Sequence, residues 1–314
     1  MKPFYWESSH GNFGDDLNLW LWDFLLPGLR DVHAETLLVG VGTVLNDQLL
    51  PREQHKLVIG SGFGYGNLPD MSNPREWDIR SVRGPKTAAK LGLPPEKGVV
   101  DPAVMVAEMP EFQGLGKRHA VSFVPHWESA ISGVWAFAAK MAGMHYIDPC
   151  GEAKFVIREI AQSDLIIAES MHGAILADAF RVPWVAVSTS SAINSFKWND
   201  WAESLGVTYR PHKIPVSTRA EAKMKNARFW GMGFAAPEES ATQTGHHAAP
   251  TTAPAPVAEQ GGLRQIAKQA LAVPAVLGLR QAVKQKPQLS SDSTLAARKA
   301  RFLEVIDGIR QDYL

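Results

Sequence analysis

The chain of 314 residues contains one cysteine, Cys150. A lone thiol excludes an internal disulfide and a multi-cysteine metal site, and it fits a reducing compartment. Net charge is also absent: 32 basic side chains cancel 32 acidic ones. No overall field therefore draws the protein to nucleic acid. Long apolar runs are missing as well. None reaches the roughly 18 residues needed to span a bilayer. The N-terminus enters a strand, residues 2–6, with no signal-peptide apolar region before it. Together these absences predict a cytoplasmic protein without a nucleic-acid partner. The remaining composition, 45% hydrophobic and 20% charged, is ordinary for a globular chain of about two domains. Tryptophan is plentiful, with ten residues. Several lie beside polar turns where rings can stack on sugars, although the core is their commoner place.

The stretch Asp164 to Val187 organises the rest. It reads as a buried strand (Leu165 to Ala168), a polar turn (Glu169 to Gly173), a helix (Ala174 to Phe180) and a second apolar strand (Trp184 to Val187). Unbroken apolar runs around a short helix are what a parallel sheet covered on both faces requires. The turn then lies where a strand ends and a helix begins, the place where ligands bind in open α/β sheets. Free N–H groups and the helix dipole favour an anion there. Ser170 offers a hydroxyl or a helix cap, and His172 offers a proton carrier near neutral pH or an ordinary first-turn side chain.

Other candidates fall at corresponding places. The loop Glu7 to Asn18 follows the first strand and precedes a helix over Leu17 to Leu26. Its Asn12, Asp15 and Asp16 either accept hydrogen bonds from sugar hydroxyls or cap that helix. Paired carboxylates argue against phosphate binding in this loop. Strands over Thr36 to Val41, Lys56 to Ile59 and Asp78 to Val82 follow. The third runs into Arg83, an anion clamp or a surface arginine. A Pro/Gly-rich piece, Met109 to Gly116, reads as a hinge. Beyond it, strand Ala120 to Val124 ends at His126 and Trp127, and β and α elements alternate up to Val187, as in a second doubly wound domain. Lys197 and Trp198 come soon after the last strand, so they can face the same cleft. His10, Asp15 and Asp16 are close in sequence, but no metal constellation is visible.

The predicted organisation is a first Rossmann-like domain over 1–112, a second over 117–210, a connecting region over 211–262 and helices over 263–314. The connecting region includes an Ala/Pro/Thr-rich flexible linker with the pair His246-His247. From Leu263 to Arg301 the chain carries eight Lys/Arg and one acid, Asp292. These helices either pack back on the core with a solvated basic face or make a peripheral contact with an anionic membrane leaflet.

Several stretches together resemble the polysaccharide pyruvyl transferases of exopolysaccharide biosynthesis: Gly11-Asn-Phe-Gly-Asp-Asp, Ser81-Val-Arg-Gly-Pro-Lys-Thr, Gly98-Val-Val-Asp-Pro-Ala, Phe123-Val-Pro-His-Trp, Ala168-Glu-Ser-Met-His-Gly-Ala and Phe196-Lys-Trp. The resemblance covers about residues 3–206. It implies a GT-B-like fold, two Rossmann-like domains facing a cleft, and transfer of a pyruvyl group from phosphoenolpyruvate onto two sugar hydroxyls as a ketal. The acceptor would be a sugar or a lipid-linked oligosaccharide. Phosphoenolpyruvate is then a donor substrate and no cofactor is called for. The family's invariant histidine falls on His172; some relatives have Arg-Leu-His where this chain has Ser170-Met171-His172.

This chemistry assigns roles to the candidates. His172 is the expected general acid, and His126 either deprotonates the attacking hydroxyl or binds the leaving phosphate. Arg83, Ser170, Met171, Gly173 and Lys197 are expected to bind the donor. Asn12, Asp15, Asp16 and Trp127 are expected on the acceptor side. Two other readings compete: a GT-B glycosyltransferase using a nucleotide sugar, and a non-catalytic glycan-binding assembly protein.

Overall fold

Short segments with an apolar centre, separated by helices and loops, should form parallel strands, and they do so twice. The computed structural model describes residues 1–230, 232–233 and 270–314. In the first half β1 (Lys2–Phe4), β2 (Leu37–Val39), β3 (Lys56–Ile59) and β4 (Trp77–Ser81) form a four-stranded sheet in that order. All three pairings are parallel, with Lys2 opposite Leu37 and Leu37 opposite Lys56. Each of these strands hands the chain to a polar loop at its carboxyl end: Ser8 to Asp16, Val41 to Asp47, Gly60 to Gly66, and Arg83-Gly84 before the helix that opens at Pro85.

The expected helix over Leu17 to Leu26 is broken into a 3₁₀ turn, Asp15–Leu19, and a short helix α1, Leu21–Leu25. Asp15 and Asp16 do not cap it. The N-cap position is Gly14, with no side-chain cap hydrogen bond. The helix α2 (Pro85–Lys90) starts at a proline, whose fixed φ suits a first turn.

The second half contains β5 (Ser122–Val124), α3 (Trp127–Ser132), α4 (Trp135–Ala142), β6 (His145–Tyr146), α5 (Ala153–Ala161), β7 (Ile166–Ala168), α6 (Met171–Ala179), β8 (Trp184–Ser188), α7 (Ser195–Ser204) and β9 (His212–Lys213). The strands make a five-stranded sheet in the order β6-β5-β7-β8-β9, again all parallel. Neighbours β5 and β7 have their outer partners on opposite sides, so the order reverses between them. A ligand crevice opens at such a switch point, outside the carboxyl ends. His126 follows β5 and Ser170 follows β7. The helical stretch between β5 and β6 is two helices, α3 and α4, divided at Gly133, where a Cβ would lie 2.5 Å from Ser217 Oγ and the Trp135 ring.

A short helix α8 (Arg219–Met224) follows, then α9 (Val273–Ala282) and the long α10 (Asp292–Tyr313). The expected linker with His246-His247, and the start of the helix expected from Leu263, lie outside the described residues. In α10, Ser291 caps the first turn by accepting from Thr294 N at 3.0 Å. One stripe, Leu295, Phe302, Ile306 and Ile309, is buried. The stripe joins a continuous apolar core that also takes in Phe13, Trp22, Val104, Ile175 and Trp184, and so spans both halves. The end of α10 docks on the first sheet through Tyr313 Oη to Asp78 (2.7 Å) and Arg80 to Asp312 (2.6 Å). The basic C-terminal helix therefore packs back on the core. Among the described residues no helix is long and apolar enough to cross a membrane.

Candidate active site

The turn after β7 is held by its own cap. Ser170 Oγ accepts from Gly173 N at 3.3 Å, so the helix starts at Met171, earlier than the expected Ala174. His172 therefore sits in the first turn, 8% exposed, and every residue of α6 is buried. Met171 packs in the core, and a Cβ on Gly173 would press on Val124 at 3.2 Å. Gly14 leaves room for the His172 imidazole from the opposite half: a Cβ there would lie 1.9 Å from Nδ1. On the same side Phe13 presents its edge to the ring, with centroids 6.5 Å apart.

The 3₁₀ segment Pro102–Glu108 packs along α6. It carries Asp101 to the imidazole. Asp101 Oδ1 caps that segment by accepting from Ala103 N at 3.0 Å. Its Oδ2 faces His172 Nε2 at 3.9 Å. Both atoms are buried and neither has a hydrogen-bond partner. Such atoms are rare in folded proteins, and each is accounted for by strain, by a bound water, ion or ligand, or by a catalytic role.

Two cations border this pair. Lys197 stands in the first turn of α7, which Asn194 caps by accepting from Lys197 N at 3.2 Å. Arg83, expected as an anion clamp or a surface side chain, is fully buried. Its Nε donates to Asp200 at 3.1 Å, Nη1 to Thr43 at 2.8 Å and Nη2 to the Phe63 carbonyl at 2.9 Å. Asp200 comes from α7 and also accepts from Thr87 N (2.8 Å) and Thr87 Oγ1 (2.6 Å). The Arg83–Asp200 pair thus bolts the first half to the second beside the histidine.

The electrostatics follow from this burial. His172 is pushed down to about 3, first by desolvation and then by Lys197 and Arg83. Asp101 is pushed up to about 6, where desolvation outweighs the pull of Arg83. Asp15 rises to about 7: burial dominates and Asp16 and Asp101 add to it, against Lys197 and a hydrogen bond from Asn12. That bond, Asn12 Nδ2 to Asp15 Oδ2, is 2.5 Å long. Asp16 is raised by partial burial and accepts from Asn12 N at 3.3 Å. With His172 neutral, the 3.9 Å approach to Asp101 is not an ion pair.

The opposite wall is a second buried network. Glu169 Oε2 accepts from His126 N at 2.9 Å and from Ser129 Oγ; Oε1 accepts from Thr189 Oγ1 and from Lys225 Nζ at 3.1 Å. Burial alone would raise the Glu169 carboxyl. Lys225 and the two hydroxyls outweigh it and hold it at about 2. This network fixes the turn carrying His126 to the turn carrying His172. His126 Nδ1 lies 3.6 Å from Glu128. Beside it, half-buried Trp127 meets Trp6 (centroids 5.2 Å) and stacks near His10 (6.4 Å, 19°). The Asn12 loop reaches this region because Phe13 N donates to the Pro149 carbonyl at 3.1 Å.

The structure thus gathers Asp15, Arg83, His172 and Lys197 around one buried point, and it gathers His126 and Trp127 along the neighbouring rim. Trp198, expected to face the cleft, is fully buried and stacks on Tyr209 (4.7 Å, 20°). Asp101 and Glu169 were inside the resembling stretches but had no role assigned. Asp200 and Lys225 were missed. Their partners are 117 and 56 residues away, and nothing local in the sequence marks them.

The model of a known family, polysaccharide pyruvyl transferase, matches residues 12–191. The chain belongs to that family. The match opens at Asn12 and includes Asp15, Arg83, Asp101, His126 and His172, while Lys197, Asp200 and Lys225 fall beyond it. This pyruvyl transferase is 68% identical over 317 residues to the succinoglycan biosynthesis protein ExoV of Rhizobium meliloti (strain 1021), with all of both chains covered. No solved structure matches the chain. Membership favours a transferase over a non-catalytic glycan-binding protein.

Proposed function

We propose that this pyruvyl transferase moves the pyruvyl group of phosphoenolpyruvate onto two hydroxyls of one sugar in an exopolysaccharide of the succinoglycan type or its lipid-linked precursor. The product is a cyclic ketal and phosphate is released. The observation that carries this reading is the buried, unpartnered face of His172 and Asp101 between Lys197 and Arg83. An anionic donor with a phosphate and a carboxylate suits that cluster at the amino end of α6. The two parallel sheets then act as the halves of a GT-B-like arrangement, with the donor at α6 and the acceptor at the Asn12–Asp16 loop and Trp127. The enzyme works in the cytoplasm; its C-terminal helix packs on the core, and the basic face which that packing leaves to solvent is the part that would meet a membrane bearing the acceptor.

In the reaction C3 of the donor takes a proton and becomes methyl, leaving an oxocarbenium-like C2. Two sugar oxygens bond to C2 as its bond to the phosphate oxygen breaks. One of the two hydroxyl protons replaces the one delivered to C3, and the other leaves on phosphate. The negative charges of the bound donor offset Lys197 and Arg83, so His172 takes up the proton it delivers only when donor is present. Asp15, raised to about 7, is partly protonated near neutrality in the same cluster, whereas Asp101, raised to about 6, is mostly ionised there. Arg83 acts on this site through its field, since its N–H groups already serve Asp200, Thr43 and Phe63. His126, on the acceptor side, takes the hydroxyl proton or meets the leaving phosphate.

The test is a thermal-shift titration with phosphoenolpyruvate, a UDP-sugar and inorganic phosphate. A donor at 100 times its Kd stabilises the protein by about 2.7 kcal/mol if it binds only the folded state. Stabilisation by phosphoenolpyruvate that is lost in Lys197→Ala is the expected result. Stabilisation by the UDP-sugar alone would instead indicate the glycosyltransferase reading.

Asp15 supplies a second expectation. Its carboxyl is raised in the folded state from 3.8 to about 7. The folded protein therefore holds this proton more tightly than the unfolded chain. The resulting stability is complete below about pH 4 and is lost as pH rises towards 7. Asp15→Asn removes that loss. Above pH 7.5 the variant should be more stable than wild type by at least about 1.4 kcal/mol, the equivalent of one pKa unit, and the gap should close by pH 4. Urea unfolding at both pH values measures it, and a gap independent of pH would contradict the assignment.

A further inference from the structure

At the other end of the second sheet, away from His126 and Ser170, three potential metal ligands meet. His119 stands just before β5, His145 opens β6 opposite Ser122, and Glu159 comes from α5. No local spacing marks this group, because its members are 14 to 40 residues apart. The two imidazoles stack with centroids 3.7 Å apart and planes 3° from parallel. Their Nε2 atoms converge on one carboxylate oxygen, Glu159 Oε2, at 3.2 Å from His119 and 2.5 Å from His145. The three ligand atoms all lie within 4.8 Å of one another.

Hydrogen bonding leaves this arrangement incomplete. His119 Nε2 is buried and, despite its 3.2 Å approach, lacks the alignment of a hydrogen bond. Glu159 is 6% exposed, and its only ion-pair partners among the described residues are these two rings. Two ring nitrogens thus converge on one oxygen of a buried carboxylate, and one of the two is left without a hydrogen bond. A dication that accepts both nitrogen lone pairs and the carboxylate oxygen satisfies all three groups at once.

We propose that His119, His145 and Glu159 bind a divalent transition-metal ion of the Zn²⁺ class. Two imidazoles and one carboxylate suit zinc, cobalt or nickel better than magnesium or calcium, which prefer all-oxygen shells. Tetrahedral zinc at about 2.0–2.1 Å from each ligand separates its donors by roughly 3.4 Å. Reaching that geometry requires the parallel rings to splay, and His145, whose side chain is 33% exposed, is the one with room to turn. The ion would tie the entry to β5, the edge strand β6 and helix α5 together. It would lie outside the pyruvyl-transfer site.

Metal-stripped full-length protein is titrated with Co²⁺ and followed by visible absorption, then with Zn²⁺ against a chromophoric chelator. The variants are His145→Ala and Glu159→Gln, the second of which keeps the side-chain shape. Their folding is checked by circular dichroism without metal. Wild type should show one Co²⁺ equivalent with ligand-field bands and no thiolate charge-transfer band, displaced by Zn²⁺ and not by Mg²⁺. Either folded variant should lose that equivalent. Other binders, such as Cys150 or His246-His247, would persist in both variants. An unchanged spectrum in both, or no bound equivalent in wild type, overturns the proposal.

Discussion

Replacing His172 by alanine is expected to lower turnover by about 10²–10⁴-fold, the range that a positioned general acid contributes. That equals about 3–5 kcal/mol of transition-state stabilisation. The fold should survive, because the side chain faces an unpartnered carboxylate instead of filling an apolar layer, and α6 keeps its Ser170 cap. Steady-state assay of phosphate release separates this from a loss of donor binding: kcat should fall much further than KM rises. Gly14→Ala is the companion measurement. Its methyl would occupy the position of the imidazole, 1.9 Å from Nδ1, while Gly14 itself has an ordinary φ of −71°. The ring must move, and small misplacements of a catalytic group cost up to about 10²-fold. If His172→Ala retains more than about a tenth of wild-type turnover, the acid role falls to another member of the cluster. Asp15 is the first candidate, since its carboxyl already titrates near 7.

The pH profile distinguishes these two acids further. In the donor-free enzyme His172 is neutral at pH 7, held down to about 3 by burial, Lys197 and Arg83. An acid that is charged only after the donor binds should appear in the profile of kcat and be absent at neutral pH from that of free enzyme. An Asp15 acid would appear in both. For stability the sign is fixed. A histidine whose folded value lies below its unfolded 6.5 contributes stability above that pH, and this is lost as pH falls towards 3. His172→Ala should therefore unfold with a weaker pH dependence between 6 and 3 than wild type.

Much of this site was legible because the relevant signals are local. Three apolar residues followed by Glu169-Ser170-Met171-His172 identify a strand entering a helix, and the position of a histidine in such a turn places it at the carboxyl edge of a parallel sheet. The same logic found Arg83 and His126. The exact start of α6 differs from the expected Ala174 because Gly173 reads as the end of a turn. The Ser170 cap made Met171 the first helical residue instead. The break of α1 into a 3₁₀ turn was hidden for a different reason. Leu17, Leu21 and Leu25 have good helical spacing, but Asn18 is taken over by tertiary bonds. Its side chain donates to the Val41 carbonyl at 2.9 Å and accepts from Val41 N and the Trp22 indole. Long-range electrostatic pairs had no signal at all. Arg83 with Asp200, Glu169 with Lys225, and Glu159 with two histidines each depend on where the sheet order brings distant segments. A single sequence carries no spacing rule for that.

The Arg83–Asp200 pair should be the most sensitive buried contact outside the apolar core. Asp200→Ala is expected to destabilise the protein by about 3–5 kcal/mol, because it leaves a fully buried guanidinium without its counter-charge. It also removes the acceptor for Thr87 N and Thr87 Oγ1. The geometry offers no relief through water, since both side chains are 0% exposed. Nearby backbone is packed against them: a Cβ on Gly62 would lie 2.2 Å from the Arg83 guanidinium carbon, and one on Gly84 would lie 2.2 Å from the Asp200 carbonyl oxygen. Urea denaturation of Asp200→Ala, Arg83→Met and the double variant Arg83→Met/Asp200→Leu separates the charge from the shape. The double variant should be clearly more stable than Asp200→Ala, since an uncompensated charge costs more than an apolar replacement of the pair. Equal destabilisation in all three would mean that the Thr43, Phe63 and Thr87 hydrogen bonds carry the joint. Catalysis supplies the second readout. Arg83 lowers both His172 and Asp101 through its field, so Arg83→Met should shift the pH profile of the reaction upward even in molecules that remain folded. A joint that served only to hold the halves together would change the folded fraction and leave that profile where it is.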